Sequence, residues 1–121
     1  MVQTGTFIDG IINGQGAACR EFILHERTFR HALEVGNDRT IQQDLLSDPV
    51  YYDAVIISKR LKVAGIDRMT PEQVLDLCAE DGDCLIDAIL QLDQRRAEFR
   101  SQQQAAAQAA AGPAEAGSSL D

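Results

Sequence analysis

The sequence predicts an α+β fold: an N-terminal β-hairpin, then four to five α-helices, then a disordered Ala/Gln-rich C-terminal tail. Three observations carry that reading. Two short β-like runs flank Asn13-Gly14, a hairpin signal. Asp48-Pro49 and Thr70-Pro71 each place a capping side chain immediately before a proline, as helix starts do. After Arg100 the composition collapses to Ser, Gln and Ala, which can extend a helix but cannot anchor a core.

The first run, Thr6 to Ile12, and the second, Arg20 to His25, are joined across Asn13-Gly14-Gln15-Gly16. Phe22 and Leu24 alternate with Glu21, Ile23 and His25, so one sheet face is more apolar than the other. Gly10 inside the first run marks a bulge. Thr28 is placed to cap a short helix from Phe29 to Val35, stopped by Gly36-Asn37. Residues 38–47 are ambiguous, although Ile41, Leu45 and Leu46 fit one face of a further short helix.

Asp48 caps the next helix, Pro49 takes its first position and Gly65 sits past its end. Val50, Ala54, Ile57, Leu61 and Ala64 form its apolar stripe, widened by Tyr51, Tyr52, Val55, Ile56 and Val63. A helix so broadly apolar either lies central in the fold or offers a second face to a partner. Thr70 to Gln73 reads as a capping box opening a helix that carries Val74, Leu75, Leu77 and Cys78. Asp81-Gly82-Asp83 is expected to end that helix and to cap the last one, Cys84 to Arg100. Asp83 and Asp87 near its start, and Arg95, Arg96 and Arg100 near its end, suit the helix dipole. The helix coasts two or three turns into the tail, and residues after Ala111 are expected to be disordered. Residues 1–100 therefore form a small domain and 101–121 a low-complexity tail.

A chain of 121 residues with net charge −8 and 45% hydrophobic residues supports one modest core. That acidity argues against nucleic-acid binding, which requires a basic face. Cys19, Cys78 and Cys84 are odd in number and lack a CxxC pair, so they read as free thiols. No signal-peptide pattern precedes the first strand, and the longest apolar stretch, Ala54 to Ile57, is too short for a bilayer. A soluble protein of the cytoplasm is expected.

The chemistry-bearing motifs fail one by one. Glu80, Asp81, Asp83 and Asp87 resemble a calcium loop only in being acidic; the twelfth position counted from Asp81 is Leu92, where a Glu is needed. His25 and His31 lack zinc-ligand spacing to the cysteines, and no setting favours a thiolate at Cys19 beside either histidine. Gly10, Gly14 and Gly16 precede no helix and no Lys, so there is no phosphate loop. No catalytic, cofactor-binding or metal-binding residue is assigned, and no enzyme is expected.

The order of features supports one comparison. A hairpin is followed by Glu26-Arg27 before a short helix, then a Pro-started central helix. Thr70-Pro71-Glu72, Asp81-Gly82-Asp83 and the run from Leu92 to Phe99 come next. In this order, over residues 5–100, the chain resembles the tail assembly chaperones of long-tailed phages, particularly those of Mu-like prophages. The resemblance implies a non-enzymatic protein that coats the helical tape-measure protein in the host cytoplasm and is absent from the finished virion. It also implies a longer, frameshifted form departing near the Ala/Gln tail. The physical task fits, since weak apolar grooves on an acidic body gain avidity when many copies line one client. The expected partner-binding residues are Tyr51, Val55, Leu85, Ile89, Leu92 and Phe99. Self-association is a further expectation. The alternative is a small structural or connector protein retained in the particle and self-associating through its last helix.

Overall fold

The alternating pattern of the first two segments folds into strands β1 (Val2–Ile12) and β2 (Ala18–His25), paired antiparallel. A third strand, β3 (Leu61–Val63), adds to the free side of β2, giving the order β1-β2-β3. The computed structural model describes residues 1–118, with side chains through residue 110. Between the strands lie α1 (Phe29–Asn37), a 3-10 turn (Gln43–Leu45) and α2 (Pro49–Arg60). α3 (Pro71–Leu75) and α4 (Ala79–Ser118) complete the chain. The fold is the mixed α+β arrangement expected, with a hairpin enlarged to three strands. The expected disorder after Ala111 meets a backbone helical to Ser118; residues 119–121 lie outside the described residues.

The hairpin loop differs from a two-residue turn. Neither Asn13 nor Gly14 has positive φ; Gly16 does, at 80°. The connection spans Asn13 to Ala17, and the Asn13 side-chain oxygen accepts from the N–H groups of Gln15 and Ala17 at 2.9 and 3.0 Å. Asparagine's role here is to hold a loop by hydrogen bonding its own backbone downstream. The irregularity expected at Gly10 is present: the β1–β2 register shifts between Thr6 and Ile11, and Gly10 has φ of 85°.

One sheet face presents Phe7, Phe22, Leu24, Leu61 and Val63, all buried. α4 lies across it and contributes Leu85, Ala88 and Leu92 to the same cluster. Phe7 and Phe22 pack with ring centroids 4.5 Å apart and planes tilted 30°, a favourable offset for aromatic quadrupoles. A second, smaller cluster joins Val35, Ile41, Tyr51, Val55 and Ile56. α2 belongs to both, since Ile57 packs against the sheet cluster. Its broad apolarity therefore reflects a central position in the fold.

Three boundaries correct the sequence reading. α2 stops at Arg60, so Leu61 and Ala64 do not continue its stripe. Leu61 turns to extended backbone (φ −102°, ψ 127°) while its N–H still caps the Ile57 carbonyl. β-sheet pairing to Leu24 and Phe22 then wins over helix. Gly65 is accordingly a turn after β3, with φ of 93°, and a Cβ there would meet the Cys19 sulfur at 2.7 Å.

The Thr70 capping box is formed as expected, with the Thr70 N–H donating to the Gln73 side chain at 2.9 Å. However, α3 ends at Leu75, leaving Leu77 and Cys78 outside it. Asp81-Gly82-Asp83 does not break a helix. It lies inside the first turns of α4, which begins at Ala79. The reason is Asp81, only 1% exposed. Its carboxylate accepts the N–H groups of Ile8 (2.6 Å), Asp9 (3.1 Å) and Gly10 (2.8 Å), the donors that the β1 irregularity releases from the ladder. Arg95 and Arg96 likewise are not C-terminal residues, because the helix continues past them. Arg95 donates to the Val2 carbonyl at 2.7 Å, and Arg96 pairs with Glu26 at 2.8 Å. α4 thus covers the outer edge of β1 at both ends, which protects an otherwise open strand.

Candidate partner-binding groove

The six residues expected to meet a partner separate into three groups. Tyr51, Val55, Leu85 and Leu92 are buried core residues and are not presented at the surface. The Tyr51 hydroxyl even serves the fold, accepting from the Gln42 N–H at 3.0 Å. Ile89 is partly buried against the sheet cluster. Phe99 alone is exposed, at 47%. It follows Leu92 by two helical turns and so extends the buried stripe of α4 beyond the end of the sheet.

The surface feature with the dimensions of a partner site lies on the opposite side of the sheet. There Thr4, Thr6, Glu21, Ile23 and Lys62 face outward, since alternate residues of β1, β2 and β3 point away from α4. α1 borders this face with Arg30, Leu33, Glu34 and Asn37, and the segment from Ile66 to Glu72 closes the far wall. The result is an open groove of about 1520 Å³ between the two hydrophobic clusters. An α-helix is about 10 Å across with a pitch of about 5.4 Å. By volume the groove equals roughly three turns of helix.

Ile23 and Leu33 are its exposed apolar side chains, both more than 40% accessible. One turn before Leu33 on α1, Phe29 is exposed as well. The sequence hid this site because Ile23 sits on the polar register of β2 and Leu33 on the solvent stripe of α1. The available signal was that isolated aliphatic interruption of otherwise polar positions.

Charge in the groove is balanced. Five Lys/Arg (Arg30, Arg39, Lys59, Lys62, Arg68) meet five Asp/Glu (Glu21, Glu34, Asp38, Asp67, Glu72). The net −8 of the chain therefore resides on the rest of the molecule. Asp38 organises the wall. Its carboxylate bridges Lys59 of α2 at 2.7 Å and Arg68 at 2.9 Å, and accepts the Thr40 hydroxyl at 2.6 Å. The Lys59 ammonium and then the Thr40 hydroxyl hold the Asp38 carboxyl far below the usual carboxylate range, against the opposing effect of burial.

Other titratable groups serve structure. Burial opposes ionisation of Asp81, but the three β1 N–H donors outweigh it and lower its pKa. Cys78 accepts the Asp81 N–H, which favours a thiolate; burial and the carboxylates of Asp9 and Asp81 prevail, and its pKa is raised. That is the opposite of nucleophile activation. His31 accepts the Thr28 N–H through Nδ1 at 3.0 Å, and burial lowers its pKa. Among the described residues, no group of three or more metal-ligating side chains converges, and no helix is long and apolar enough to cross a membrane.

No family model, no curated protein and no solved structure matches this chain.

Proposed function

We propose that this chain is a non-enzymatic tail assembly chaperone of a Mu-like prophage, holding the tape-measure protein soluble in the host cytoplasm until the tail tube forms. The observation that carries the reading is the groove between the outer sheet face and α1. It has a volume of about 1520 Å³, exposes aliphatic side chains at Ile23 and Leu33, and carries balanced charge on an otherwise acidic body. An amphipathic client helix enters it without net repulsion, while the acidic remainder keeps the complex soluble. Each groove covers only a short helical segment, so coating a long client depends on many copies and on avidity. On this reading no cofactor, membrane or nucleic acid takes part. A frameshifted longer form would carry its extra domain beyond α4, away from the groove. The protein would be missing from mature particles.

The test is co-expression with the tape-measure protein encoded beside it. The client should enter the soluble fraction only with this chain, and Ile23→Asp with Leu33→Asp should abolish that effect while leaving the chaperone folded. A client equally soluble without the chain overturns the proposal. The alternative, a connector retained in the particle, predicts stoichiometric recovery of the chain from purified virions by mass spectrometry.

A further inference from the structure

Two helices of this chain open with the same reciprocal device, and only one of them titrates. At α3 the Thr70 N–H donates to the Gln73 side chain at 2.9 Å, an amide with no proton to gain near neutrality. At α1 the matching third position is His31. The Thr28 N–H donates to its Nδ1 at 3.0 Å, and the Thr28 hydroxyl lies 3.1 Å from the same nitrogen. Accepting at Nδ1 requires the neutral ring, with its proton on Nε2. A second proton turns Nδ1 into a donor. It then keeps the hydroxyl at most, and the Thr28 N–H loses its acceptor.

The two ends of α1 are held very differently. Toward the C-terminus Val35 is buried in the second cluster. Gln43 donates to the Val35 and Asp38 carbonyls at 3.1 and 2.9 Å, and Asp38 is tied to Lys59 and Arg68. Toward the N-terminus Arg27, Thr28, Phe29 and Arg30 are all exposed, so no burial backs the cap. The charged groups around the partly buried His31 are mainly cationic: His25 of β2 and Lys59 and Arg60 of α2, against Glu34 on α1 itself. Arg60 sharpens the conflict. It is 6% exposed and its Nε donates to the His25 carbonyl at 2.9 Å. Its Nη2 is the buried side-chain polar atom left without a partner among the described residues. A guanidinium so poorly compensated disfavours a further cation nearby, and the positive end of the α1 dipole opposes the same charge.

We propose that the Thr28–His31 cap is an acid-operated release for the N-terminal half of α1, and so for the groove wall that carries Arg30 and Leu33. With His31 neutral the cap is closed and α1 borders the groove. With His31 protonated the first turn unwinds, while Val35 and Gln43 keep the C-terminal half in place. Burial, ahead of the neighbouring cations and against Glu34, lowers the His31 pKa. The cap is therefore fully formed above the ordinary histidine value of about 6.5 and is lost as pH falls through the lower folded value. The effect of release on a client rests on the groove reading; the cap step itself does not.

Amide spectra of the labelled full chain, recorded without client from about pH 8 to about pH 4.5 at fixed ionic strength, test it. The amides of residues 28–33 should move together toward unfolded positions through one midpoint below about pH 6.5. The Thr70 amide is the internal control and should not move with them. His31→Gln rebuilds the cap in the form of the Thr70–Gln73 box; it should abolish the step and keep α1 helical in acid. His25→Asn should leave the step in place. Hydrogen-exchange protection at Leu33, corrected for intrinsic pH dependence, should fall by about threefold or more in the wild type and not in His31→Gln, the scale of one charge at a helix end. An α1 that stays helical after the His31 ring has protonated overturns the proposal. So does an equal step in His31→Gln, because the titrating group then lies elsewhere. Since no client is present, failure here and failure of the chaperone reading are separate results.

Discussion

Asp81 shows how one side chain fixes a topology. Three consecutive backbone N–H groups, left without strand partners by the β1 irregularity, converge on its carboxylate. Removing an acceptor that buried donors depend on costs more than the net value of the bonds themselves. Asp81→Ala is accordingly expected to destabilise by about 3 kcal/mol or more, and Asp81→Asn by about 1–2 kcal/mol, read from urea unfolding. The pH dependence has a definite sign. Asp81 and Asp38 both titrate below their ordinary values in the folded chain. Their contribution is fully present above the unfolded carboxylate value near about 3.9 and is lost as pH falls below it toward the folded values. His31, also lowered, acts in the same sense from about pH 6.5 downward. The urea midpoint should therefore fall progressively on acidification below neutrality, and more steeply below about pH 4. Asp81→Asn should flatten the acid limb. A wild-type midpoint constant down to pH 3 would contradict this account.

At the level of elements, the local signals were legible wherever side chain and backbone of neighbouring residues decide the outcome. Thr28, Asp48-Pro49 and the Thr70–Gln73 box each start a helix where expected. Errors fall where a distant segment decides. Leu61–Val63 pairs with β2, a contact invisible to helical periodicity. Gly82 sits inside α4 because Asp81 is committed to β1, some seventy residues earlier. Likewise Val55 and Leu92, legible as apolar helix positions, could not be sorted into core or partner face without knowing what lies over them. Both are completely buried. Leu92→Ala should cost about 2–5 kcal/mol, as deletion of well-packed methyl groups does. Deleting residues 101–121 should change the monomer's unfolding free energy by no more than about 0.5 kcal/mol, the scale of surface changes. A large loss on that truncation would show that the extension packs on its own body.

The whole molecule is an uneven distribution of charge around two sets of apolar surface. The groove is neutral and concave; the remainder carries the net −8. On the proposed function, groove binding should consequently respond weakly to ionic strength, because the attraction would come mainly from burial of Ile23 and Leu33 rather than from net charge. Titrating a client helix at about 50 and 500 mM salt checks this, with affinities within about threefold expected. The most direct measurement is an amide chemical-shift titration of the labelled chain with an amphipathic helical peptide from the tape-measure protein. The account predicts shifts concentrated at Thr4, Thr6, Ile23, Leu33 and Lys62, and lost in the Ile23→Asp, Leu33→Asp variant. Shifts confined to α4, or none at saturating peptide, would contradict it.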